Sequence, residues 1–358
     1  MTPRIVLLRG SSPDLLHRLD EVRSRGDVPL VGDDRWPAEH WTAVADLVDT
    51  ASVPPGTAWA SLTSGTSGRP RVVLRTAASW ERSFDAISAI LTEEHVLLPS
   101  PPASSLTLFS LAHALHGGPQ PADPATSFHG TPQALRAALE TQTLRTALVG
   151  GSHLDPGLRA AARSRGTRVV SYYGAAELSF VALDDGTGLR AFPGVELDVR
   201  EGEVWVRSPY VALGYLGGTG PLRRDGAWAT VGDLGSLDGE GVLTLHGRAD
   251  SAILTASATV VPDEVESELR TLAGIRDAVV FGMPAPGVGA VVAAMVEPDG
   301  PGSALTASQL RTSVAAGFAL AHRPRVWFVG ELPRTASGKP ARAEIRRRAL
   351  AGEVPRLA

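Results

Sequence analysis

The chain has 358 residues, 43% of them hydrophobic and 20% charged, which is enough apolar material for two or three folded domains and too much for global disorder. Thirty-four basic residues against 38 acidic ones leave a net charge of −4, which argues against holding nucleic acid by bulk charge. The absence of cysteine excludes disulfides, thiolate catalysis and cysteine-based zinc or iron–sulfur sites.

Residues 4–9 predict a short buried strand and residues 13–23 a helix. Trp36 and Trp41 fall in a segment with a weak helical pattern over 38–48, closed by Pro54-Pro55-Gly56. A strand over 57–62 runs straight into Thr63-Ser64-Gly65-Thr66-Ser67-Gly68. Over 76–91, Trp80, Phe84, Ile87 and Leu91 recur at helical spacing. A strand at 95–99 and a helix at 104–116, stopped by Gly117-Gly118, come next. The Pro/Gly-rich segments 117–132 and 298–303 are expected to be loops. Strand 146–149, helix 155–164 and strand 168–171 continue an alternation that builds a parallel sheet with crossover helices.

Beyond Tyr173, short glycine-punctuated strands at 179–183, 196–199, 203–207 and 242–245 predict an antiparallel subdomain. From Asp250 the pattern changes to a compact α+β unit: helix 262–272, strands 278–282 and 288–296, helix 307–321, strand 326–328 and a basic helix from Ala341. The expectation is an α/β protein with a large domain, 1–249, and a small one, 250–358. The apolar run Ile5-Val6-Leu7-Leu8 is too short for a signal-peptide core, and no stretch approaches the roughly 20 apolar residues of a membrane span. A soluble, cytoplasmic protein is expected.

Among the 34 basic residues, 33 are arginine and one, Lys339, is lysine. A compositional bias that replaces Lys by Arg wherever Arg serves leaves Lys only where a compact ammonium is needed. The Ser/Thr/Gly segment after its strand suits a loop that wraps a polyphosphate with backbone N–H groups and hydroxyls, although a flexible turn has the same composition. It lacks the Walker A spacing, so an ordinary P-loop ATPase is disfavoured. Taken singly, Glu177 also fits a solvated loop carboxylate, Asp233 a turn residue and Lys339 a surface charge. Tyr173 and Trp228 also fit core aromatics, and for Trp228 that is the favoured role. The nine histidines show no metal-ligand spacing and are expected at the surface or satisfied in the core.

Five separated segments, in order, resemble the adenylate-forming superfamily of acyl- and aryl-CoA synthetases, nonribosomal adenylation domains and luciferases. Residues 63–71, Thr-Ser-Gly-Thr-Ser-Gly-Arg-Pro-Arg, are similar to its phosphate loop, and Tyr173-Gly174-Ala175-Ala176-Glu177 to its Tyr-Gly-x-Thr-Glu motif. Trp228-Ala229-Thr230-Val231-Gly232-Asp233 resembles its Trp-x-x-Thr-Gly-Asp motif. Gly247-Arg248-Ala249-Asp250, with Ile253 and Pro262-x-Glu264-Val265-Glu266, resembles its hinge. Pro333-Arg334-Thr335-Ala336-Ser337-Gly338-Lys339 with Arg342 resembles its C-terminal lysine motif.

The resemblance implies ATP-dependent activation of a carboxylic acid as an acyl-adenylate, followed by thioester formation with CoA. It implies that Thr63, Ser64, Gly65, Thr66, Ser67, Gly68 and Arg71 hold the polyphosphate, and that Tyr173 and Gly174 lie against the nucleotide. Glu177 would be the Mg²⁺ ligand, Asp233 would bind the ribose and Arg248 would sit near ribose and phosphate. Lys339 would bridge substrate carboxylate and phosphate, with Glu177 and Arg248 as further catalytic groups. Asp250 would be the hinge about which the small domain rotates between half-reactions. An acid pocket is expected from Ser104, Phe109, Gly150, Gly151, Tyr172 and Ala175. With no Arg or Lys in those stretches, a monocarboxylic, fairly apolar acid is favoured. The implied partners are that small acid and, alternatively, an acyl carrier protein or an amine as acceptor, with a monomer or homodimer both open. A non-catalytic nucleotide binder is the remaining alternative.

The chain departs from the pattern in places. Only about 60 residues precede the phosphate loop, an abbreviated plan resembling short o-succinylbenzoate–CoA ligases, while the segment after Tyr173 looks more like fatty-acyl-CoA ligase-like proteins. Pro101-Pro102-Ala103-Ser104 stands where many relatives carry an aromatic-His pair. Arg71 replaces the loop lysine, Ala176 the motif threonine, and Leu254 and Ser257 a lysine and glycine after the hinge. A side chain at Ser257 bears on passage of the pantetheine arm, and so on the CoA half-reaction more than on adenylation.

Overall fold

The computed structural model describes residues 3–63, 71–152, 154–218, 220–248, 253–254, 259–260, 262–285, 289–300, 305–318, 320–335 and 338–357. Two mixed sheets carry the first half of the chain. One has the order Ile5–Arg9, Val28–Gly32, Trp59–Thr63, Arg71–Arg75, Gly214–Tyr215; its first three strands are parallel and the last two antiparallel. The other runs Arg190–Ala191, Ser179–Asp184, Arg168–Ala175, Thr146–Val149, Ser127–Gly130, His95–Leu97, Gln120–Pro121, parallel from Arg168–Ala175 onward.

The helix Ser105–Leu115 contacts both sheets, touching Trp59–Thr63 and Ser127–Gly130, and eight of its 11 residues are buried. It starts where Ser104 accepts from the backbone N–H of Thr107, satisfying a donor that a helix start otherwise orphans. Thr131 and Asp155 cap Pro132–Thr141 and Pro156–Ser164 in the same way, each with proline in the first turn, where its missing N–H costs nothing. A third, antiparallel sheet contains Glu196–Arg200, Glu203–Arg207, Arg223–Asp225, Trp228–Thr230, Asp233–Leu237 and Leu243–Arg248. Leu8, Trp59, Leu148, Val170, Val206 and Ala229 join all three sheets into one core.

The last hundred residues build a separate core on a three-stranded sheet, Ile275–Ala285, Gly289–Pro298 and Val326–Val329. Its side chains alternate: Ala278 and Val280 face the Pro262–Leu269 and Ala307–Gly317 side with Leu269, Leu310 and Trp327. Val279 and Phe281 face the Arg342–Leu350 side with Met295, Phe328 and Ile345.

Four expectations need correction. The 117–132 segment is not one loop but contains two strands, Gln120–Pro121 and Ser127–Gly130. A strand, Val28–Gly32, precedes the helix expected at 38–48. The helix expected over 76–91 is broken into Ala78–Glu81 and Phe84–Ser88, because Ser83 turns back on Trp80 with both its N–H and its hydroxyl. Ser179–Asp184 belongs to the large sheet, antiparallel to Arg168–Ala175, rather than to the antiparallel subdomain. The boundary at 249/250, the hinge Asp250, Ser257 and the loop residues Ser64, Gly65, Thr66, Ser67 and Gly68 lie outside the described residues.

Candidate active site

A cleft of about 3000 Å³ opens between the two cores, lined from one side by Arg71, Ser104, Phe109, Tyr172 to Glu177 and Asp233, and from the other by Arg334, Thr335, Gly338 and Lys339. Gly151 lies on its wall and Gly150 beneath it. Segments that are distant in sequence therefore meet along one surface. Thr63 closes its strand opposite Arg71, and Arg248 stands opposite Asp233 in the neighbouring strand.

On one side of the cleft, Tyr173 donates its hydroxyl to Asp233 Oδ2 at 2.7 Å, so two motifs 60 residues apart are joined directly. Glu177 is only 5% exposed; its Oε1 accepts from the Tyr215 hydroxyl at 2.8 Å, and Tyr215 in turn accepts from the N–H of Leu222. Burial, with the Glu177 charge beside it, raises the Tyr215 phenol well above its ordinary range, so it remains a donor. Behind Glu177 lies Arg75, fully buried, whose guanidinium donates to the carbonyls of Ala176 and Tyr210 and to Ser79 Oγ. Burial lowers its pKa to about 9 against the opposing pull of Glu177, so the buried cation persists at neutral pH. Neither Glu177 nor Asp233 is a freely solvated carboxylate.

Lys339 is presented by a tight turn: Thr335 donates its N–H and hydroxyl to the Lys339 carbonyl, and Gly338 takes φ +81°, a left-handed conformation that suits glycine. The turn is tied back by Arg334, which bridges Asp277 at 3.0 Å and Glu297 at 2.5 Å. Gln133, from the Pro132–Thr141 helix, reaches across the cleft, donating to the Gly338 carbonyl at 2.5 Å and accepting from Arg334 Nε at 3.2 Å. The Lys339 side chain lies over Gly151: a Cβ added there would stand 3.2 Å from Lys339 Cε and 3.7 Å from Nζ.

On the same wall as Tyr173 and Asp233, Trp80, Phe109, Phe180 and Tyr172 make an aromatic recess, with Phe109 and Tyr172 both packed on Phe180 at 4.9 and 4.7 Å between ring centroids. The Tyr172 ring covers Gly150, where an added Cβ would stand 2.1 Å from Cζ. His129, fully buried, places Nδ1 2.7 Å from Ser110 Oγ and Nε2 3.1 Å from the Tyr172 hydroxyl. Burial depresses its pKa to about 3, so the ring is neutral. Arg159 lines the same cleft but is held by Asp184 and Ser171.

Arg75, Tyr215, Gln133, Ser110 and His129 were not singled out by the sequence reading. Trp228, expected in the core, is half-buried and lies between the Arg200 and Arg207 guanidinium groups, 4.9 and 5.3 Å from its ring centroid.

Residues 264–339 match the family model of the AMP-binding enzyme C-terminal domain. A probable 2-succinylbenzoate–CoA ligase of Mycobacterium tuberculosis is 32% identical over 376 residues, covering 95% of this chain and 96% of that protein. Among solved structures, o-succinylbenzoate-CoA synthetase from Bacillus subtilis, in complex with its acyl-adenylate intermediate, matches with a TM-score of 0.80 at 20% identity, over 96% of this chain and 88% of the other. ATP-bound MatB from Rhodopseudomonas palustris matches with a TM-score of 0.83 at 19% identity, over 98% and 89%. With its two cores, its ordered motifs and a relative aligned over nearly its whole length, the chain belongs to the adenylate-forming, AMP-binding enzymes, the superfamily of the acyl-CoA ligases.

Proposed function

We propose that this chain is an AMP-forming acid–CoA ligase, and the observation that carries the reading is Lys339, the only lysine, poised over Gly151 at the mouth of an aromatic recess. A carboxylate lying in the recess attacks the α-phosphorus of ATP; the carboxyl–phosphorus bond forms as the bond to pyrophosphate breaks. Charge neutralisation and positioning supply most of the rate in such a transfer. Lys339 stands where a compact ammonium meets both the carboxylate and the phosphate. Asp233, oriented by Tyr173, accepts from ribose hydroxyls, with Arg248 across from it. Arg71 and the loop from Thr63 to Gly68 hold the polyphosphate. In the second half-reaction a thiol attacks the acyl carbonyl and AMP leaves, with unit 250–358 turning about Asp250 between the two steps.

Mg²⁺ fits the donor set: Glu177 presents a hard carboxylate at the cleft, and among the described residues no cluster of three or more His, Asp or Glu competes for an ion. Glu177 would hold the ion, which would neutralise charge on the substrate phosphates.

A monocarboxylic, largely apolar acid suits walls made of Trp80, Phe109, Phe180 and Tyr172, and Arg159, which lines the same cleft, is already committed to Asp184. CoA is favoured over a carrier protein as acceptor. Of the three arginines Arg346, Arg347 and Arg348 that suit an acidic carrier, Arg347 is paired with Glu344 and Glu353, and Arg348 with Glu344. No helix among the described residues is long and apolar enough to cross a membrane, and a cytoplasmic setting with ATP and CoA at hand suits the chemistry.

The test is pyrophosphate release from ATP and Mg²⁺ across a panel of acids, with and without CoA, beside Lys339→Ala. Release that needs a particular acid, falls about 10²–10³-fold in the variant and yields a thioester with CoA is the expected result. ATP binding without acid-dependent release refutes the enzyme reading, and release indifferent to CoA points to a carrier thiol or an amine.

A further inference from the structure

The hydrogen-bonded row Ser110–His129–Tyr172 has a direction, and the direction specifies what the recess takes. His129 is neutral and carries a single N–H. Were that proton on Nδ1, it would be donated to Ser110 Oγ, and the Ser110 proton would need a second acceptor. Among the described residues Ser110 hydrogen-bonds only to His129, and its helix carbonyls do not accept from it. A buried hydroxyl proton left without an acceptor costs about 1–3 kcal/mol. With Ser110 donating to Nδ1, the His129 proton sits on Nε2 and is donated to the Tyr172 oxygen. The Tyr172 proton is then free of His129, and the residue lines the cleft. In the opposite orientation the unmatched proton would be sealed in the core at Ser110; in this one it is carried by Tyr172, a half-buried residue of the cleft lining.

We propose that Tyr172 is a specificity-determining donor, and that the acid activated here is an apolar monocarboxylic acid bearing one neutral oxygen acceptor (ether, carbonyl or hydroxyl) on the part of the molecule buried in the recess. The inference rests on the acid-activating reading above and deepens it. Phe109, Phe180 and Trp80 supply the apolar walls, which suit an aromatic or flat acyl body. Lys339 lies over Gly151 and Tyr172 over the adjacent Gly150, which brings the ammonium and the phenol to one stretch of the wall. Because Ser110 and His129 are both buried, the relay cannot turn to water to satisfy itself when a hydrocarbon occupies the recess. An oxygen-free acid therefore leaves the donor unmatched.

The experiment uses non-reactive acyl-sulfamoyladenosines in matched pairs that differ by one oxygen-for-methylene replacement, such as 4-methoxybenzoyl against 4-ethylbenzoyl and the corresponding phenylpropanoyl pair, with affinities measured by calorimetry. At least one oxygen analogue should bind about tenfold or more tighter than its partner. Tyr172→Phe should bring that ratio to about one. Ser110→Ala, which touches no ligand, should also lower it, by freeing His129 to accept from Tyr172. Equal binding of every pair by the wild type overturns the inference and leaves the activity reading standing. A ratio that survives Tyr172→Phe, or is untouched in Ser110→Ala, overturns the relay. If no acylated analogue binds at all, the acid-activating reading and this inference fall together.

Discussion

Where the nucleotide is proposed to bind, side chains are held by backbone and by charge. Arg75 grips the carbonyls of Ala176 and Tyr210, Tyr215 holds Glu177, and Tyr173 holds Asp233. On the acid side the walls are stacked rings, and the polar content is one neutral row of Ser110, His129 and Tyr172. The first arrangement tolerates little change at Arg75, because a buried charge and the groups it serves are costly once unpaired. The second rests on neutral groups and is exacting about where one proton lies. On the proposed reading, a scaffold so divided would keep its reaction with ATP constant while its acid could change.

The comparison is broken most forcefully at Arg75. Arg75→Met leaves two buried carbonyls without a donor, and a loss of about 3–5 kcal/mol in urea unfolding is expected, with Arg75→Lys recovering part of it. A loss below 1 kcal/mol would mean that the buried cation is not what fixes the Glu177 segment.

The acid side answers to pH instead. Burial lowers His129 to about 3 and His113, stacked on Phe84, to about 4, whereas the unfolded chain protonates both near 6.5. Between those limits the unfolded state binds more protons, so stability rises with pH and is lost as pH falls below about 6.5. These two groups contribute up to about 2.7 kcal/mol per pH unit. Denaturation midpoints from pH 5 to 6.5 should show it, and His113→Gln should remove about half.

Gly150→Ala drives a methyl into the Tyr172 ring, and its expected cost is about 1–3 kcal/mol. Its kinetic mark is a KM for the acid raised several-fold with the KM for ATP within twofold; equal changes in both would deny the division of the cleft. The smallest effect is expected for Tyr215→Phe, which removes one hydrogen bond to Glu177. A roughly fivefold rise in the Mg²⁺ concentration for half-maximal rate corresponds to about 1 kcal/mol.

The same division governs what the linear sequence discloses. Nucleotide-side residues sit in short contiguous motifs, so Tyr173 to Glu177, Trp228 to Asp233 and Pro333 to Lys339 are legible, and the strand–helix alternation around them is too. The acid side is assembled from residues on separate elements, and no spacing relates Ser110, His129 and Tyr172. Ser127–Gly130, with a serine and a histidine at zero exposure, looks polar enough to pass for a loop. Val28–Gly32 is buried at every position, so it lacks alternation, and Pro29 argues against a strand. Arg75 at the end of a valine-rich run resembles a surface charge until Ala176 and Tyr210 are brought to it from a hundred residues away.

Lys339 lying over Gly151 has a practical corollary. Apart from the α-amino group, the chain offers an amine-selective reagent no other target. If Lys339 acts as proposed, acylation, reductive alkylation or a fluorescent succinimidyl ester would act as an active-site titrant without engineering, and shielding of that single lysine by substrate would convert occupancy into a readable mass shift. On the role proposed for Lys339, the same solitude would leave the enzyme open to its own chemistry: an acyl-adenylate that escapes transfer would meet, in its own chain, one side-chain amine to modify.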